Sequence, residues 1–282
     1  MNVLVVGSGG REHALCWKLS QSPLLSQLYC APGNPGTAQL AENVDLAVDD
    51  ISGLVEFADS NQIDLTIVGP EYPLTLGLVD ALAERGLSAF GPRQAAAMLE
   101  GSKEFAKRVM IDAGVPTAGY QAFDFSAAVI ETVRSYCHKL GFPVVLKADG
   151  LAAGKGVFVC HDDAELDSAL EALLTKIKAD KLVVENFLSG VEASYIVATN
   201  GTQVVPFVAS HDHKRLCDGQ QGPNTGGMGA VSPTSHLTAE QERWVLERVM
   251  YPVVNQMRVA GNPFVGFLYA GLMISESGEI NV

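Results

Sequence analysis

The sequence predicts an α/β protein of about two domains, the first of which contains a parallel sheet. Its 282 residues fit roughly two domains at about 150 residues each. Apolar residues make up 48% of the chain and aromatic residues only 7%, which is typical of a core of Val, Leu, Ala and Ile. In the N-terminal third, apolar runs alternate with helical patterns. Such alternation requires crossover connections, so we expect ligands beyond the carboxyl ends of the parallel strands.

Glycine-containing turns follow the predicted strands of this N-terminal third. The turn from Gly7 to Gly10 places backbone N–H groups at a helix N-terminus, where an anion is favoured. A Rossmann-like dinucleotide site needs a third glycine where Glu12 stands, so NAD is disfavoured, but the turn could hold a single phosphate. Glu71 follows another strand at the same edge and either contacts a substrate or belongs to an ordinary turn. The predicted strands are 3–6, 63–68 and 87–90, and the predicted helices are 11–21 and 74–85.

A hairpin at 142–159 is the most informative stretch of the chain. An apolar run at 144–146 stops at Lys147, a glycine-rich loop follows at 150–156, and a second apolar run begins at Val157. A lysine beside such a loop suits a polyphosphate, because the ammonium group supplies charge and glycine backbone N–H groups can approach closely. An ordinary surface hairpin with a solvated lysine is the alternative.

The glycine loop of this hairpin does not match the Walker A phosphate-binding motif. Only three residues separate Gly150 from Gly154, and Lys155 is followed by Gly156 rather than by a hydroxyl residue that could hold Mg²⁺. A P-loop is therefore disfavoured.

Two further segments carry weaker functional signals. Ser102 can cap a helix that begins with Lys103, where the helix dipole disfavours a cation unless an anion lies nearby. A strand at 182–185 runs into the connector 186–188, which could offer backbone groups to a purine, with Glu192 near ribose hydroxyls. A common strand and turn is the simpler explanation of the second segment taken alone.

The segment 210–232 is predicted to lack regular secondary structure and to be functional rather than disordered. Backbone N–H groups and two cations there could bind a small carboxylate or phosphate. His211 and His213 could suggest a metal, but no third ligand stands at metal spacing, so a metal is disfavoured. A helix is predicted to follow at 238–256, bent near Pro252. The polar residues and glycines that carry the segment's signal are Lys214, Arg215, Asn224, Thr225 and 226–229.

Charge and composition disfavour several classes of partner. The net charge of −13 gives no global support for nucleic-acid binding. No apolar run approaches the roughly 18 residues of a membrane span, and the N-terminus enters a strand without a basic region, so we expect a cytoplasmic protein without membrane contact. The cysteines are scattered and never spaced C-x-x-C, which favours buried, reduced thiols. They are Cys16, Cys30, Cys137, Cys160 and Cys217.

Several stretches match a known family in order along the whole chain. They are G-S-G-G-R-E-H-A from Gly7, A-P-G-N-P-G-T-A from Ala31, V-G-P-E from Val68, F-G-P from Phe90, L-E-G-S-K from Leu99, K-A-D-G-L-A-A-G-K-G-V from Lys147, H-D-H-K-R from His211, G-P-N-T-G-G-M-G-A from Gly222 and Y-A-G-L-M from Tyr269. Together they resemble the phosphoribosylamine-glycine ligase family of the ATP-grasp superfamily. The combination of the lysine hairpin with P-N-T-G-G-M-G-A is the most specific part of this resemblance.

The resemblance implies both a fold and an activity. The implied fold is a Rossmann-like N-terminal domain at 1–101 and an incomplete α+β ATP-grasp domain at 102–282, with a mobile lid at about 116–185. The implied reaction joins glycine to 5-phosphoribosylamine with ATP, through glycyl phosphate, and gives glycinamide ribonucleotide, ADP and phosphate in purine biosynthesis. This chemistry needs positioning and charge neutralisation more than a protein nucleophile.

The family pattern also implies roles for particular residues. Lys147, Lys214 and Asn224 are expected to be catalytic. The residues expected to bind ATP are Lys103, Lys147, Gly150, Gly154, Lys155 and Gly156 for the phosphates, Glu185, Asn186, Phe187 and Leu188 for adenine, and Glu192 for ribose. The residues expected to bind the other substrates are Asp212, Lys214, Asn224, Thr225, Gly226 and Gly227 for glycine and its acyl phosphate, and Gly9 and Gly10 for the phosphoribosyl group. Glu71 is also expected to bind a substrate.

The family pattern places its metal ligands on the last predicted strand. The sequence ends within that strand, without a polar tail, which predicts that it is a fragment. A Glu-Phe-Asn segment that holds Mg²⁺ or Mn²⁺ is expected just past Val282, whereas Glu279 and Asn281 imitate its spacing too early. We therefore expect no metal ligands within 1–282 and little or no turnover by these residues alone.

Three other interpretations remain open from the sequence. A nicotinamide-dependent oxidoreductase is suggested by the first strand, turn and helix. A non-catalytic nucleotide-binding module would keep the ATP site without the reaction. An ATP-grasp ligase acting on another acid would share the lysine hairpin, although the turn at 224–230 argues against it.

Overall fold

A computed structural model of the chain describes residues 1–151, 156–219 and 221–282, with the backbone alone at 223 and 224. The chain divides into two compact units. The first unit comprises Met1–Gly101 and Met257–Phe267, and the second comprises Ser102–Gln256 and Leu268–Val282. The predicted α/β class is confirmed, because both units combine sheets with helices.

The first unit contains a five-stranded parallel sheet with the strand order β3-β2-β1-β4-β5. Its strands are β1 (Asn2–Gly7), β2 (Gln27–Pro32), β3 (Glu42–Asn43), β4 (Leu65–Val68) and β5 (Ala89–Phe90). Its helices are α1 (Gly10–Leu19), α2 (Ile51–Ser60), α3 (Glu71–Thr75), α4 (Leu78–Glu84) and α5 (Gln94–Gly101).

The apolar run of β1 is explained by burial of both faces of this sheet. Leu4 and Val6 belong to one core cluster, which includes residues of α2 and α4. Val3 and Val5 belong to a second cluster, which includes Cys16 of α1. Because successive side chains of a strand point to opposite faces, a strand covered on both sides must be apolar throughout. This arrangement leaves the carboxyl ends of the strands, where the glycine turns lie, as the polar edge.

One predicted helix of the first unit is two helices. The prediction of a single helix over 74–85 is wrong, because α3 ends at Thr75 and α4 begins at Leu78. Gly77 lies between them at φ 86°, a left-handed conformation that side chains with a β-carbon rarely adopt. The amide of Gln94 donates a hydrogen bond to the carbonyl of Thr75 at 2.8 Å and so satisfies one terminal group of α3.

The second unit contains two four-stranded sheets. The hairpin sheet is antiparallel with the order β6-β9-β7-β8, and the long-strand sheet has the order β11-β10-β16-β17. The strands are β6 (Tyr120–Asp124), β7 (Val144–Ala148), β8 (Val157–Cys160), β9 (Lys181–Asn186), β10 (Val191–Asn200), β11 (Val204–Pro206), β12 (His211–Asp212), β13 (Arg215–Cys217), β14 (Gln221–Asn224), β15 (Ala230–Val231), β16 (Val265–Ile274) and β17 (Ile280–Asn281). The helices are α6 (Lys103–Asp112), α7 (Ile130–Leu140), α8 (Asp163–Ala172), α9 (Ala239–Val245) and α10 (Tyr251–Val259). The end of α10 and the start of β16 fall within Met257–Phe267, which belongs to the first unit.

The register of the hairpin sheet brings two candidate residues to one face. Leu146 of β7 and Val184 of β9 face the core cluster that α7 and α8 cover. Their neighbours Lys147 and Glu185 therefore face the opposite side. Lys147 pairs with Val183, and Val145 pairs with Glu185, so Lys147 and Glu185 are diagonal neighbours across two adjacent strands.

The segment 210–232 is more regular than predicted. The prediction that it lacks secondary structure is wrong, because its ends pair as β12 with β15 and its middle pairs as β13 with β14. These strands are only two to four residues long, so they show no alternation that a sequence pattern could reveal.

The helix predicted over 238–256 extends to Val259 and changes geometry near its proline. A π-helical turn, Leu246–Met250, separates α9 from α10 and ends just before Pro252. Proline has no N–H to donate to the carbonyl one turn earlier, which accounts for an irregularity at this point. In the part of the chain that the structure describes, no helix is both long and apolar enough to cross a membrane.

Candidate active site

Lys147 forms part of a buried ionic cluster on the hairpin sheet. Its ammonium group donates to Oε2 of Glu185 at 2.9 Å, and the ammonium group of Lys107 contacts the same oxygen at 3.0 Å. Glu185 is only 3% exposed. Its other oxygen, Oε1, is buried and has no hydrogen-bond partner among the described residues. The cluster thus places two cations on one carboxylate and leaves a buried acceptor beside them.

Lys107 was not predicted as a site residue. It lies on α6 and is held by the hydroxyl of Thr117 at 2.7 Å and the carbonyl of Ala118 at 3.3 Å, with its ammonium group 5.9 Å from the ring centre of Tyr120. Burial lowers the pKa of Lys107, although the charge and hydrogen bond of Glu185 oppose this shift. The spacing of four residues from Lys103 could have identified it, because such a spacing places two side chains on one helix face.

Asp149 is the anion that was expected near Lys103, because Lys103 lies at the start of a helix. Its carboxylate accepts hydrogen bonds from the hydroxyl of Ser102 at 2.8 Å, from the N–H of Glu104 at 3.3 Å and from the N–H of Lys103. The side-chain ammonium of Lys103 donates to the carbonyl of Gly150 at 2.9 Å. Lys103 is therefore attached to the first glycine of the loop, which is where the family pattern expects a phosphate.

A cavity of about 460 Å³ lies next to this glycine loop. It is lined by residues 148–151, by Gly156 and by residues 177–181. Gly154 and Lys155 lie outside the described residues, so their predicted roles stay predictions.

The connector after β9 has the exposure expected of a ligand-binding wall. Phe187 is 40% exposed, Asn186 is exposed and Leu188 is half-buried. The N–H of Asn186 donates to the carbonyl of Gly119 at 3.0 Å, which extends the pairing of β9 by one residue. The predicted contacts of 185–188 with adenine remain predictions.

Glu192 and Lys214, which were assigned to different substrates, contact each other directly. Their ion pair measures 2.5 Å, and Asp212 lies 3.9 Å from the same ammonium group. Burial by itself lowers the pKa of Lys214, but the hydrogen bond and charge of Glu192, with Asp212 and Tyr269, outweigh it and raise the pKa. Lys214 is therefore held as a cation.

The turn after Lys214 is hydrogen-bonded to the backbone of Lys214. Thr225 donates to the Lys214 carbonyl twice, from its N–H at 2.7 Å and from its hydroxyl at 2.9 Å. The Thr225 hydroxyl accepts the N–H of Gly227 at 3.1 Å, and Gly226 has open space where a β-carbon would stand. The structure thus brings together Asp212, Lys214, Thr225 and the two glycines, whereas the side chain of Asn224 is outside what it describes.

Three histidines cluster beside this turn. The rings of His211 and His236 are stacked with centres 4.0 Å apart, and His213 meets His211 edge-on at 5.3 Å. His236 Nδ1 donates to the carbonyl of Glu192 at 2.7 Å. Among residues 1–151, 156–219 and 221–282, no group of three His, Cys, Asp or Glu side chains is arranged to hold a metal ion.

The glycine turn of the first unit already holds an internal anion. Glu12 is 2% exposed, and its carboxylate accepts the N–H of Gly9 at 2.6 Å and the Nε–H of Arg11 at 2.8 Å. A β-carbon at Gly69 would lie 2.0 Å from Glu12 Oε1. The carboxylate therefore fills the slot at the carboxyl ends of β1 and β4, which disfavours a dinucleotide pyrophosphate there.

Glu71 lies at the same edge of this sheet. It forms an ion pair with Arg11 at 3.0 Å, so Arg11 bridges Glu71 and Glu12. Both Glu71 and Arg11 are about half exposed. Gly10 has nothing within 4 Å of its possible β-carbon. The predicted contacts of Gly9 and Gly10 with a phosphoribosyl group, and of Glu71 with a substrate, remain predictions.

A parallel-sheet unit followed by two four-stranded sheets, one with a lysine beside a glycine loop, defines an ATP-grasp protein. Residues 1–100 match the family model described as phosphoribosylglycinamide synthetase, N domain, and residues 101–282 match that described as phosphoribosylglycinamide synthetase, ATP-grasp (A) domain. The chain belongs to the phosphoribosylglycinamide synthetase family. The resemblance found in the sequence is thereby confirmed.

Individual relatives support the same assignment. The chain is 50% identical to the phosphoribosylamine–glycine ligase of Yersinia pestis and 51% identical to that of Allochromatium vinosum, with 100% of this chain and 66% of each relative covered. The crystal structure of phosphoribosylamine–glycine ligase from Thermotoga maritima is similar with a TM-score of 0.83 at 30% identity, covering 100% of this chain and 68% of that one. The chain thus spans 66% of the length of these curated relatives.

Proposed function

We propose that the chain binds ATP and takes part in joining glycine to 5-phosphoribosylamine, which gives glycinamide ribonucleotide, ADP and phosphate in purine biosynthesis. Its family and the names of relatives about 50% identical to it support this activity. One observation in the chain itself carries the proposal. Lys147 and Glu185 share the face of the hairpin sheet that points away from its core, and Lys103 is attached to the adjoining glycine loop.

The proposed chemistry proceeds in two steps without a covalent bond to the protein. A carboxylate oxygen of glycine attacks the γ-phosphorus of ATP, ADP leaves, and glycyl phosphate forms. The amine of 5-phosphoribosylamine then attacks the carbonyl carbon and loses a proton as phosphate leaves. Both steps depend on aligned reactants and on neutralised phosphate charge.

Within this proposal, the hairpin sheet binds the nucleotide. Lys103 and Lys147 supply cations to the phosphates, and Gly150 and Gly156 bring backbone N–H groups close to phosphate oxygens. The connector 186–188 offers backbone groups and an apolar wall to adenine. The remaining nucleotide contacts in the proposal come from Gly154, Lys155, Glu185 and Glu192.

The turn after β12 is proposed to bind glycine and its acyl phosphate. The cation Lys214 suits the carboxylate of glycine, and Asp212 suits its ammonium group. Because Glu192 holds Lys214 at 2.5 Å, the cation is oriented before a substrate arrives. Thr225, Gly226 and Gly227 supply N–H groups for the acyl phosphate, together with Asn224. In the first unit, Gly9 and Gly10 are proposed to contact the phosphoribosyl group, and Glu71 is proposed to contact a substrate.

Membership of the ATP-grasp proteins implies a divalent metal ion, and we propose Mg²⁺ or Mn²⁺. Such an ion would supply positive charge that neutralises the phosphates. The described residues do not form a cluster of three or more metal-binding side chains, so they do not fit this ion. The positive charges that the chain itself supplies to the reaction in this proposal are those of Lys103, Lys147, Lys155 and Lys214.

Calorimetry with ATP tests the nucleotide site. We expect the chain to bind ATP and Lys147→Ala to weaken that binding about 10- to 100-fold, because a charge-assisted hydrogen bond to phosphate is lost. Lys139→Ala is the matched control, since Lys139 is an exposed lysine in the last turn of α7. Absence of ATP binding, or equal affinities of the two variants, would overturn the proposal.

The amino-acid specificity needs a separate measurement. Glycine is expected to bind the chain in the presence of ADP, and Lys214→Ala is expected to abolish this binding. Alanine serves as the comparison ligand because it differs by one methyl group. Binding of alanine as tight as that of glycine would point to a ligase for another acid.

A further inference from the structure

Lys107 is a buried cation that the proposed reaction does not use. Its side chain is 6% exposed, whereas that of Lys147 is 29% exposed, although both contact the same oxygen of Glu185. One lysine is therefore enclosed by the protein and the other reaches the surface. This difference suggests that the two cations have different roles.

The hydrogen bonds of the two lysines differ in the same way. The ammonium group of Lys107 has three donors, which are used by Glu185, by Thr117 at 2.7 Å and by the carbonyl of Ala118 at 3.3 Å. In the part of the chain that the structure describes, Glu185 is the one hydrogen-bond acceptor of Lys147. Lys107 is consequently fixed in place, while Lys147 can turn to another anion by giving up a single contact.

The buried carboxylate of Glu185 determines the free-energy cost of moving Lys147 to another anion. A buried carboxylate that loses its only cation is strongly destabilised, because nothing replaces the water it gave up on folding. If Lys147 were the sole partner of Glu185, its movement to a phosphate would leave the carboxylate of Glu185 buried without a counter-ion. With Lys107 at 3.0 Å, Glu185 keeps a cation when Lys147 leaves.

We propose that Lys107 is a positioning residue that remains as the counter-ion of Glu185 and thereby frees Lys147 to bind the phosphates of a nucleoside triphosphate. The inference rests on the proposed function, because it takes Lys147 to contact phosphate. It adds a residue for which neither the family motifs nor the glycine loop gave a role. In this arrangement Lys107 touches no substrate and acts through Lys147.

The first test compares ATP with adenosine, which lacks phosphate. In Lys107→Met, Lys147 should stay with Glu185, so affinity for ATP should fall about 10- to 100-fold while affinity for adenosine is unchanged. A purely structural role would lower both affinities together. Arg108→Met is the control, because Arg108 is the exposed neighbour of Lys107 on α6 and should change neither value.

The second test removes the charge that Lys107 balances. In Glu185→Gln no carboxylate holds Lys147, so adding Lys107→Met should leave the ratio of ATP to adenosine affinity as it is in Glu185→Gln alone. The comparison of Glu185→Gln with the double variant remains possible if Lys107→Met by itself fails to fold. The double variant contains neither the buried carboxylate of Glu185 nor the buried ammonium group of Lys107. A further fall of the ratio in the double variant would overturn the inference.

The two proposals fail in distinguishable ways. If the unaltered chain binds no ATP, the proposed function fails, and the role of Lys107 fails with it. If the unaltered chain binds ATP and Lys107→Met keeps the same ratio of ATP to adenosine affinity, only the role of Lys107 is wrong.

Discussion

The hydroxyl of Ser102 donates a hydrogen bond to the carboxylate of Asp149 across 2.8 Å, which joins the start of α6 to the end of β7. The same hydroxyl accepts the N–H of Phe105 at 3.2 Å, so Ser102 caps its own helix while it binds the hairpin. The carboxylate lies at the positive end of the helix dipole, where an anion is stabilising. Lys103 is attached to the glycine loop at the same point.

Asp149→Ala should therefore loosen the N-terminus of α6. The loss of a helix cap and of a favourable charge is expected to cost about 1–2 kcal/mol. Hydrogen exchange should show faster exchange of the N–H groups of the first turn of α6. Asp162→Ala is the matched control, because Asp162 caps α8 by accepting the N–H of Glu165 at 2.9 Å. Equal exchange of α6 in the two variants would contradict this prediction.

Local patterns predicted much of the fold, and tertiary contacts account for the rest. The hairpin, the parallel sheet and the cap at Ser102 follow from residues close together in the sequence. The pairing of Lys147 with Glu185 depends on the register between β7 and β9, which the sequence does not specify across 38 residues. Lys107 was not predicted as a site residue, because its acceptors come from other parts of the chain.

Dependence on tertiary contacts also explains which features near the glycine turns the sequence did not predict. Glu12 could be recognised as a departure from the dinucleotide pattern, but not as a buried carboxylate that fills the space beside Gly69. The strands at 211–231 were missed because each is stabilised by a partner strand rather than by its own composition.

Gly69→Ala should destabilise the first unit. A methyl group there would lie 2.0 Å from Glu12 Oε1, and the buried carboxylate has no room to move without losing its bond to Gly9. Overpacking of this kind costs about 1–3 kcal/mol. Thermal unfolding of the variant should show a lower midpoint than that of the unaltered chain.

Gly10→Ala provides the opposite expectation for the same turn. Gly10 begins α1 and has nothing within 4 Å of its possible β-carbon, so alanine should stabilise the helix by up to about 1 kcal/mol. A lower unfolding midpoint for Gly10→Ala than for Gly69→Ala would show that the space around Glu12 does not determine the outcome.

The ring of His211, which is stacked on that of His236, should have a lowered pKa in the folded chain. Partial burial, followed by the charges of His236 and His213, lowers the pKa of His211 below 6.5, and Asp212 opposes the shift. The unfolded chain therefore binds a proton before the folded one does as pH falls below 6.5, and folding is weakened by acid in that range. Proton NMR should follow the His211 ring directly.

Replacing one ring tests the cause of this shift. His236→Asn should move the pKa of His211 upward, because a neighbouring positive charge 4.0 Å away is removed. His138→Asn is the control, since His138 lies on α7 and pairs with Asp163. An unchanged pKa of His211 in His236→Asn would assign the shift to burial and to His213.

The buried thiols of Cys137 on α7 and Cys160 on β8 predict a loss of stability in alkaline solution. Burial raises the pKa of Cys137 to about 11 and that of Cys160 to about 12, from an ordinary value of 9.0. Between pH 9 and these values the unfolded chain has lost protons that the folded chain retains, so stability falls as pH rises. The slope is at most about 1.4 kcal/mol per pH unit for each thiol. Urea unfolding at several pH values should show this fall of stability with pH. A double replacement of Cys137 and Cys160 by alanine should flatten the pH dependence. Cys217→Ala should leave it unchanged, because that cysteine is exposed.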